Sequence, residues 1–537
     1  MRKLKTKKIS IPAIGLLVLA GLFMVWVGAP SAAEQPQRGG ILTYAVGSES
    51  ASLDAHIEST YGCLHPIAPF YSLLLKFDED NYPKIVGDLA ESWTISPDHK
   101  TYTFKIRKGV KFHDGTLLTS RDIKASYDKI IFPPPGVTSV RKLFYASVEK
   151  IVIPDDQTVV FHLKWPTASF LSGLASPWNF IYKADILAKD PHWYEKNVMG
   201  TGPFKLQEAG RGTHFSGIRN NDYFRKGLPY LDGFRAVFIP NTGTRLAAIR
   251  GGRVMTEFRG FPPSQVEELV KAMGDKIRIM ESPLTTAMTV HFNTEKKPFD
   301  DPRVRRALAL AIDQWGAAKI LSKITVCKTV GGLLRPGSEF AMTEEELTQI
   351  PAFSKDMEAN RKEARRLLRE AGVPEGFSFQ IYNRPPPMPY EPVAVWLIDQ
   401  WRKIGLNVTQ KPLELGAYFL DLGAGKHDMY LMSMSGYMDD PDDLLVVTHS
   451  SYPQGFMRYK DRIVDELYAK QSVAIDPAER RRLCKQYELR IIDEMTYMVP
   501  FLWWHRAIPV PSNVKGIKLM PNHFLNQDRS TIWLTKD

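Results

Sequence analysis

Asp439-Asp440-Pro441-Asp442-Asp443 crowds carboxylates into one short run, the raw material of a divalent-cation site. Calcium loops space their ligands at alternate positions around a central glycine. This run has a proline and no such glycine, so it reads instead as a helix N-terminus with acids set against the dipole. His113-Asp114 pairs a base with a carboxylate. Asp114-Gly115 is also a turn pair, because glycine accepts positive φ and aspartate caps its own backbone, and that makes the pair a hairpin corner. Gly200-Thr201-Gly202 lacks the Lys-Ser/Thr of a phosphate loop and runs into Pro203 and a β-like stretch, as a tight turn before a strand does. The chain has no HExxH and no GxSxG, its histidines are scattered, and Cys63, Cys327 and Cys484 form no CxxC. The expectation is a chain with no catalytic residue, no metal and no cofactor. In an oxidising compartment one disulfide can form among the three cysteines, leaving one thiol over.

The elements that must position such residues are legible as periods. Tyr102, Phe104 and Ile106 alternate with Thr101, Thr103, Lys105 and Arg107, which predicts a half-buried strand. Thr119-Ser120-Arg121-Asp122 offers a hydroxyl cap and an early acid for a helix through Ala125 and Tyr127. Residues 150–163 read as strand, turn, strand, and 39–46 as an opening strand. Residues 66–77 read as a buried helix leading to a short strand. Asp300-Asp301-Pro302 starts a helix whose face is Val304, Leu308 and Ala311. Further helices end at Gly251, Gly372 and Gly405. Helices alternating with short strands predict α/β lobes, and a chain of 537 residues is too long for one core.

Arg2, Lys3, Lys5, Lys7 and Lys8 precede an uncharged apolar run over 13–27, and Ser31-Ala32-Ala33 supplies small residues before a cleavage point. This is the pattern of a secretory leader over residues 1–33. Its apolar run falls short of the roughly 20 residues of a spanning helix. The expected product is a soluble periplasmic protein. Net charge is +11, much of it in the leader, with no basic cluster interleaved with aromatics, which excludes nucleic acid as the natural partner.

A second reading comes from motifs in order along the chain. Gly39-Gly40-Ile41-Leu42, Leu53-Asp54, Ala90-Glu91-Ser92-Trp93, Gly109-Val110-Lys111-Phe112-His113-Asp114-Gly115-Thr116, Thr201-Gly202-Pro203-Phe204-Lys205-Leu206, Phe292-Asn293-Thr294, Phe299-Asp300-Asp301-Pro302-Arg303-Val304-Arg305 and Lys403-Ile404-Gly405-Leu406-Asn407-Val408 together span nearly the whole chain after the leader. That ordered set resembles the family 5 extracytoplasmic solute-binding proteins, which serve peptide, nickel and opine ABC importers. The resemblance implies an α/β fold of the periplasmic binding protein type II class, large subclass C, in which two lobes joined by a hinge carry an additional domain. It implies a first lobe from 34–60, 196–284 and 506–537, the additional domain over 61–195, a second lobe over 285–505, and hinge crossings near 285 and 500–510. It also implies a monomer that takes a peptide or small solute, hands it to permease and ATPase subunits, and does no chemistry. A secreted hydrolase, or a periplasmic receptor or chaperone-like protein on the same fold, are the alternatives.

The resemblance also points to site residues. Dipeptide-binding members carry an Asp for the peptide amine and an Arg for its carboxylate, and ungapped counting puts Tyr437 and Met388 at those positions, so both charged anchors are missing. Asp439 and Arg384 lie near enough to substitute. Ser435, Tyr437 and Asp439 fall on the ligand-touching loop, with Tyr382 and Arg384 on its neighbour. Phe258 and Arg259 replace an acidic segment of the family, and an arginine there can meet a carboxylate or phosphate. Tyr61, Trp178 and Trp503 are platforms for a sugar ring or an apolar side chain. Packing roles stay open for Tyr382, Trp503 and Trp178, and a solvated one for Arg259.

Overall fold

The computed structural model describes residues 34–384, 387–436, 438–452 and 455–535. The leader at 1–33 and Tyr437 lie outside the described residues. Tyr102, Phe104 and Ile106 are buried in the strand Thr101–Ile106. That strand lies between Ala90–Ile95 and Thr158–Leu163 in an antiparallel sheet completed by Val148–Asp155. The helix Ser120–Ile131 covers it, started by a capping box between Thr119 and Asp122. His113 is the hairpin corner that the turn pair predicts: its Nε2 lies 3.1 Å from the Gly202 carbonyl, and Asp114 pairs with Lys183 at 2.5 Å.

A five-stranded sheet orders Thr256–Glu257, Ile41–Val46, Gly233–Phe238, His214–Arg219 and Phe204–Gly210, with the opening strand parallel to both neighbours. A six-stranded sheet orders Cys327–Thr329, Met498–Pro511, Ile277–Phe292, Met429–Ser435, Ser378–Asn383 and Asn407–Pro412. Two of its strands are exceptionally long and tie the lobes together. Ile277–Phe292 and Met498–Pro511 pair antiparallel, with a register break between Pro283 and Ala287. On one side of the break Ile508 and Val510 join the core of the five-stranded lobe; on the other, Ala287, Val290, Phe501 and Leu502 join that of the six-stranded lobe.

One expectation changes, and one question the sequence left open is answered. The helix expected from Pro66 begins earlier, as Tyr61–Ile67, and gives way to a 3-10 turn, Ala68–Phe70, before the strand Leu75–Phe77. Pro69, with no N–H to donate, sits in that turn and ends the α-helical ladder. The cysteines are all free and buried, Cys63 in one core and Cys327 and Cys484 in another, so no disulfide forms.

Gly200-Thr201-Gly202 does lead into a strand, Phe204–Gly210. A Cβ on Gly202 would stand 2.4 Å from the Phe70 carbonyl carbon and the Tyr71 nitrogen, both backbone atoms. Gly202→Ala is expected to cost about 1–3 kcal/mol, read as a lower thermal midpoint.

Candidate functional site

The acidic run is where the lobes meet, and its charges are consumed by structure. Asp440 caps the helix Pro441–Leu445 by accepting from the Asp442 N–H, and both its oxygens take guanidinium N–H groups of Arg480 at 2.6 and 3.1 Å. Asp442 accepts from Gln471 at 2.5 Å, from Ser472 at 2.6 Å and, across the lobe boundary, from Ser169 at 2.5 Å. The Ala168 N–H reaches the Ser472 carbonyl at 2.9 Å. Asp439 is buried against Arg335, whose Nε donates at 2.8 Å. The Tyr82 ring of the four-stranded domain lies 6.0 Å from that guanidinium, and burial together with the Asp439 charge pushes its phenol above the ordinary range. Asn522 closes the other flank, donating to the Gly436 carbonyl at 2.6 Å and to Thr285 at 2.9 Å. Ser435 ends its strand exposed and donates to Thr286 at 3.1 Å. Among the described residues no three metal-ligating side chains converge.

A wall of rings stands on the core of the five-stranded lobe, with Trp178 and Phe258 buried in that core and Tyr61 packed against it. Tyr61, Trp178, Phe258 and Arg259 come from distant parts of the chain, and the structure gathers them. The Arg259 guanidinium lies 4.8 Å from the centre of the Tyr61 ring. Tyr61 is 5.7 Å from His65 and 6.1 Å from His523, and His65 is 6.4 Å from Phe258. His523 stacks toward Phe524 at 4.1 Å, Phe524 meets Trp178 at 5.2 Å, and Arg141 covers Trp178 at 4.7 Å. His523 Nδ1 and His65 Nε2 are 3.2 Å apart. Burial holds both imidazoles well below 6.5, helped by Arg529 for His65 and by His65 itself for His523, so the pair is neutral near pH 7. Sequence reasoning missed Arg141, His65, His523 and Phe524.

The third part lies outside the carboxyl ends of the parallel strands Ser378–Asn383 and Asn407–Pro412, where open α/β sheets bind ligands. Arg384 follows the first of these strands and lines a cavity of about 390 Å³ with Glu391, Gln410, Leu413 and Glu414. Its guanidinium lies 5.4, 6.0 and 5.7 Å from the rings of Tyr390, Tyr418 and Phe419, within cation–π reach of all three.

Two expected contacts are structural instead. Tyr382 is buried, donates to the Lys426 carbonyl and lies under the Lys411 ammonium at 4.4 Å, and these two residues cover it on a face where Ser378 and Gln380 stay exposed. Trp503 is 2% exposed, its indole N–H donates to the Gly332 carbonyl at 3.0 Å, and its ring fills the space left by Gly331.

This pairing of two sheet cores, two crossing strands and a loop spanning the boundary agrees with what comparison finds. The sequence profile of the bacterial extracellular solute-binding proteins, family 5 Middle, matches residues 84–456. The chain belongs to this family. Family 5 proteins are solute carriers and not enzymes. A curated relative, the glutathione-binding protein GsiB of Salmonella typhi, is 27% identical over 493 residues, 89% of this chain and 92% of that protein. Two solved structures are similar throughout. The ABC transporter-associated periplasmic binding protein DppA of Helicobacter pylori, in complex with the peptide STSA, is 28% identical with a TM-score of 0.75, covering 93% of this chain and 99% of that one. The binding protein AgaA of A. tumefaciens, in complex with agropinic acid, is 25% identical with a TM-score of 0.74, covering 93% of this chain and 99% of that one.

Proposed function

We propose that the protein is the periplasmic binding component of an ABC importer that closes its lobes over a carboxylate-bearing peptide or opine-like solute and delivers it to a permease driven by cytosolic ATPases. The hinge of this reading is the register break between Pro283 and Ala287 in the crossing strands, a short irregular stretch of the kind that absorbs lobe closure. The lobes then meet through Gly436 and Asp442, and the aromatic wall supplies apolar contact.

The observation that carries the ligand class is Arg384, a guanidinium in a cavity at the carboxyl edge of the sheet. The sequence offers no charged anchors at Tyr437 and Met388, which argues against a free dipeptide. Arg384 answers half of that objection by supplying a cation for a carboxylate. The molecules bound by the relatives fit the same class: glutathione, a peptide and an organic acid. Neither the site nor the comparisons favour the hydrolase alternative.

The test is native mass spectrometry of protein purified from the periplasm, followed by calorimetry with the solute that it releases. A carboxylate-bearing solute is expected, and Arg384→Ala is expected to weaken it about 100-fold, the share of one charge-assisted anchor. Equal affinity in the variant would remove Arg384 from the site. Release of an uncharged solute would overturn the ligand class.

A further inference from the structure

The five-stranded lobe holds two buried guanidiniums for which the binding reaction has no use. Arg506 is 3% and Arg529 4% exposed. Arg506 donates to the carbonyls of Phe258 at 2.7 Å and Met520 at 2.9 Å. Arg529 donates to the Gln527 side chain and lies flat on the Phe258 ring, 3.4 Å from its centre, with Tyr44 at 5.2 Å. All of these partners are neutral. Among the described residues neither guanidinium has an ion pair with a carboxylate, and the Nε–H of each is buried without an acceptor. Asp528, adjacent in sequence, acts on Arg529 through its charge but also faces the Lys76 ammonium at 3.6 Å and the charge of Arg225.

Arg305, 1% exposed, also lacks an ion pair among the described residues, but each of its nitrogens donates to a main-chain carbonyl, and three other buried cations have carboxylates. Arg245 has Glu257 at 2.9 Å, Arg480 has Asp440 at 2.6 Å, and Lys129 has Asp54. An isolated buried charge costs several kcal/mol. Lysine or histidine escapes that cost by losing its proton, whereas arginine keeps its charge. Burial pulls Arg506 down to about 9, with Arg529 adding to the effect, and pulls Arg529 down to about 10. What sets Arg506 and Arg529 apart is that their Nε–H groups lack an acceptor among the described residues.

The two arginines line one cavity of about 20 Å³, together with Phe258, Gln527, Thr531 and Glu79. That is room for a single water-sized occupant. Glu79 is drawn away by Lys76 at 2.8 Å and takes the Thr531 hydroxyl at 3.4 Å. Lys518, also on the wall, pairs outward with Asp80 at 2.5 Å.

We propose that this cavity is a binding site for one desolvated monovalent anion of halide size, chloride in an extracytoplasmic medium, held by the Nε–H groups of Arg506 and Arg529. The site lies beneath residues 516–532, an irregular strap clipped at its ends by the pairing of Val514–Lys515 with Trp533–Leu534. The strap carries Asn522, which reaches across to Gly436, and His523 and Phe524 of the aromatic wall. An anion pinning Arg506 and Arg529 thus stiffens the segment on which both closure and the wall depend.

The experiment is thermal unfolding of the full mature chain in sodium chloride, bromide, acetate and gluconate at one ionic strength, paired with anomalous diffraction from bromide-grown crystals. Chloride and bromide are expected to raise the midpoint saturably by at least about 1 °C over gluconate, which is too large for the cavity. A bromide peak is expected between the two guanidiniums. Arg529→Gln should abolish the halide effect, and Glu79→Gln should strengthen it by removing the one negative wall. Identical midpoints in all four salts, a bromide peak elsewhere, or stabilisation by acetate without halide would each overturn the proposal. If Arg529→Gln fails to fold, the Glu79→Gln comparison and the bromide map decide alone.

Discussion

Arg480→Met is expected to cost about 3–5 kcal/mol of unfolding free energy and to lower solute affinity with it. Arg480 is 4% exposed, packs on the Phe340 ring at 5.0 Å, and meets Asp440 through two hydrogen bonds and Asp442 at 3.6 Å. Removing it leaves two carboxylates in a place that water does not reach. The methionine recovers the packing of the aliphatic stem but none of the charge. Asp440 caps Pro441–Leu445, and Gly436, shortly before it, meets the other lobe through Asn522. Loss of the pair therefore loosens the loop as well as the core. Urea unfolding gives the stability, and calorimetry with the released solute gives the binding. The double variant Arg480→Met/Asp440→Asn should lose less than the sum of the two singles, because each single strands the other partner. A loss under about 1 kcal/mol would mean that the pair behaves as a solvated one and that the loop is held by something else.

Local structure was readable wherever one face is wet. The strand Thr101–Ile106 alternates because its polar set reaches solvent, and Thr119 with Asp122 and Asp301 with Pro302 announce their helices through capping chemistry that depends on neighbours alone. Alternation fails at Ser378–Asn383, where Phe379, Ile381, Tyr382 and Asn383 are all buried, so Tyr382 looked free to face a ligand. The tryptophans show a related limit. Trp178 and Trp503 are equally apolar in sequence and equally buried, Trp178 in the core under the aromatic wall and Trp503 in a core around Gly331. The wall itself joins residues near 61, 178, 258 and 523, and those from 523 lie on a strap without periodicity. Only the topology brings them together. The acidic run shows the reverse case: its residue types were plain, but that three arginine-rich and serine-rich segments would neutralise it could not be read locally.

Glu488→Gln is expected to flatten the pH dependence of stability and to leave the variant more stable than the wild type above about pH 8. Glu488 is fully buried, and one oxygen accepts from the N–H groups of Leu333 at 2.5 Å and Leu334 at 3.2 Å, while the other has no partner among the described residues. Burial raises its pKa from 4.5 to about 8, against the lowering pull of those two N–H groups. The folded protein therefore keeps a proton that the unfolded chain gives up near 4.5, and over the interval between those values the folded state binds more protons. Stability must fall as pH rises across it, by about 1.4 kcal/mol per unit and roughly 5 kcal/mol in all. Glutamine keeps the accepting oxygen and the shape and carries no proton to lose. The loop that Glu488 holds is tightly placed: a Cβ on Gly332 would stand 2.4 Å from its carboxylate, and Arg335, at the end of the same loop, is the partner of Asp439. Ionisation at high pH therefore strains the support of the ligand loop, and solute affinity in the wild type should weaken above pH 8 while that of the variant does not. Urea unfolding of both proteins at pH 5, 6.5 and 8.5 makes the comparison. Parallel curves would show that Glu488 is ionised in the folded protein throughout, and the buried neutral acid would have to be given up.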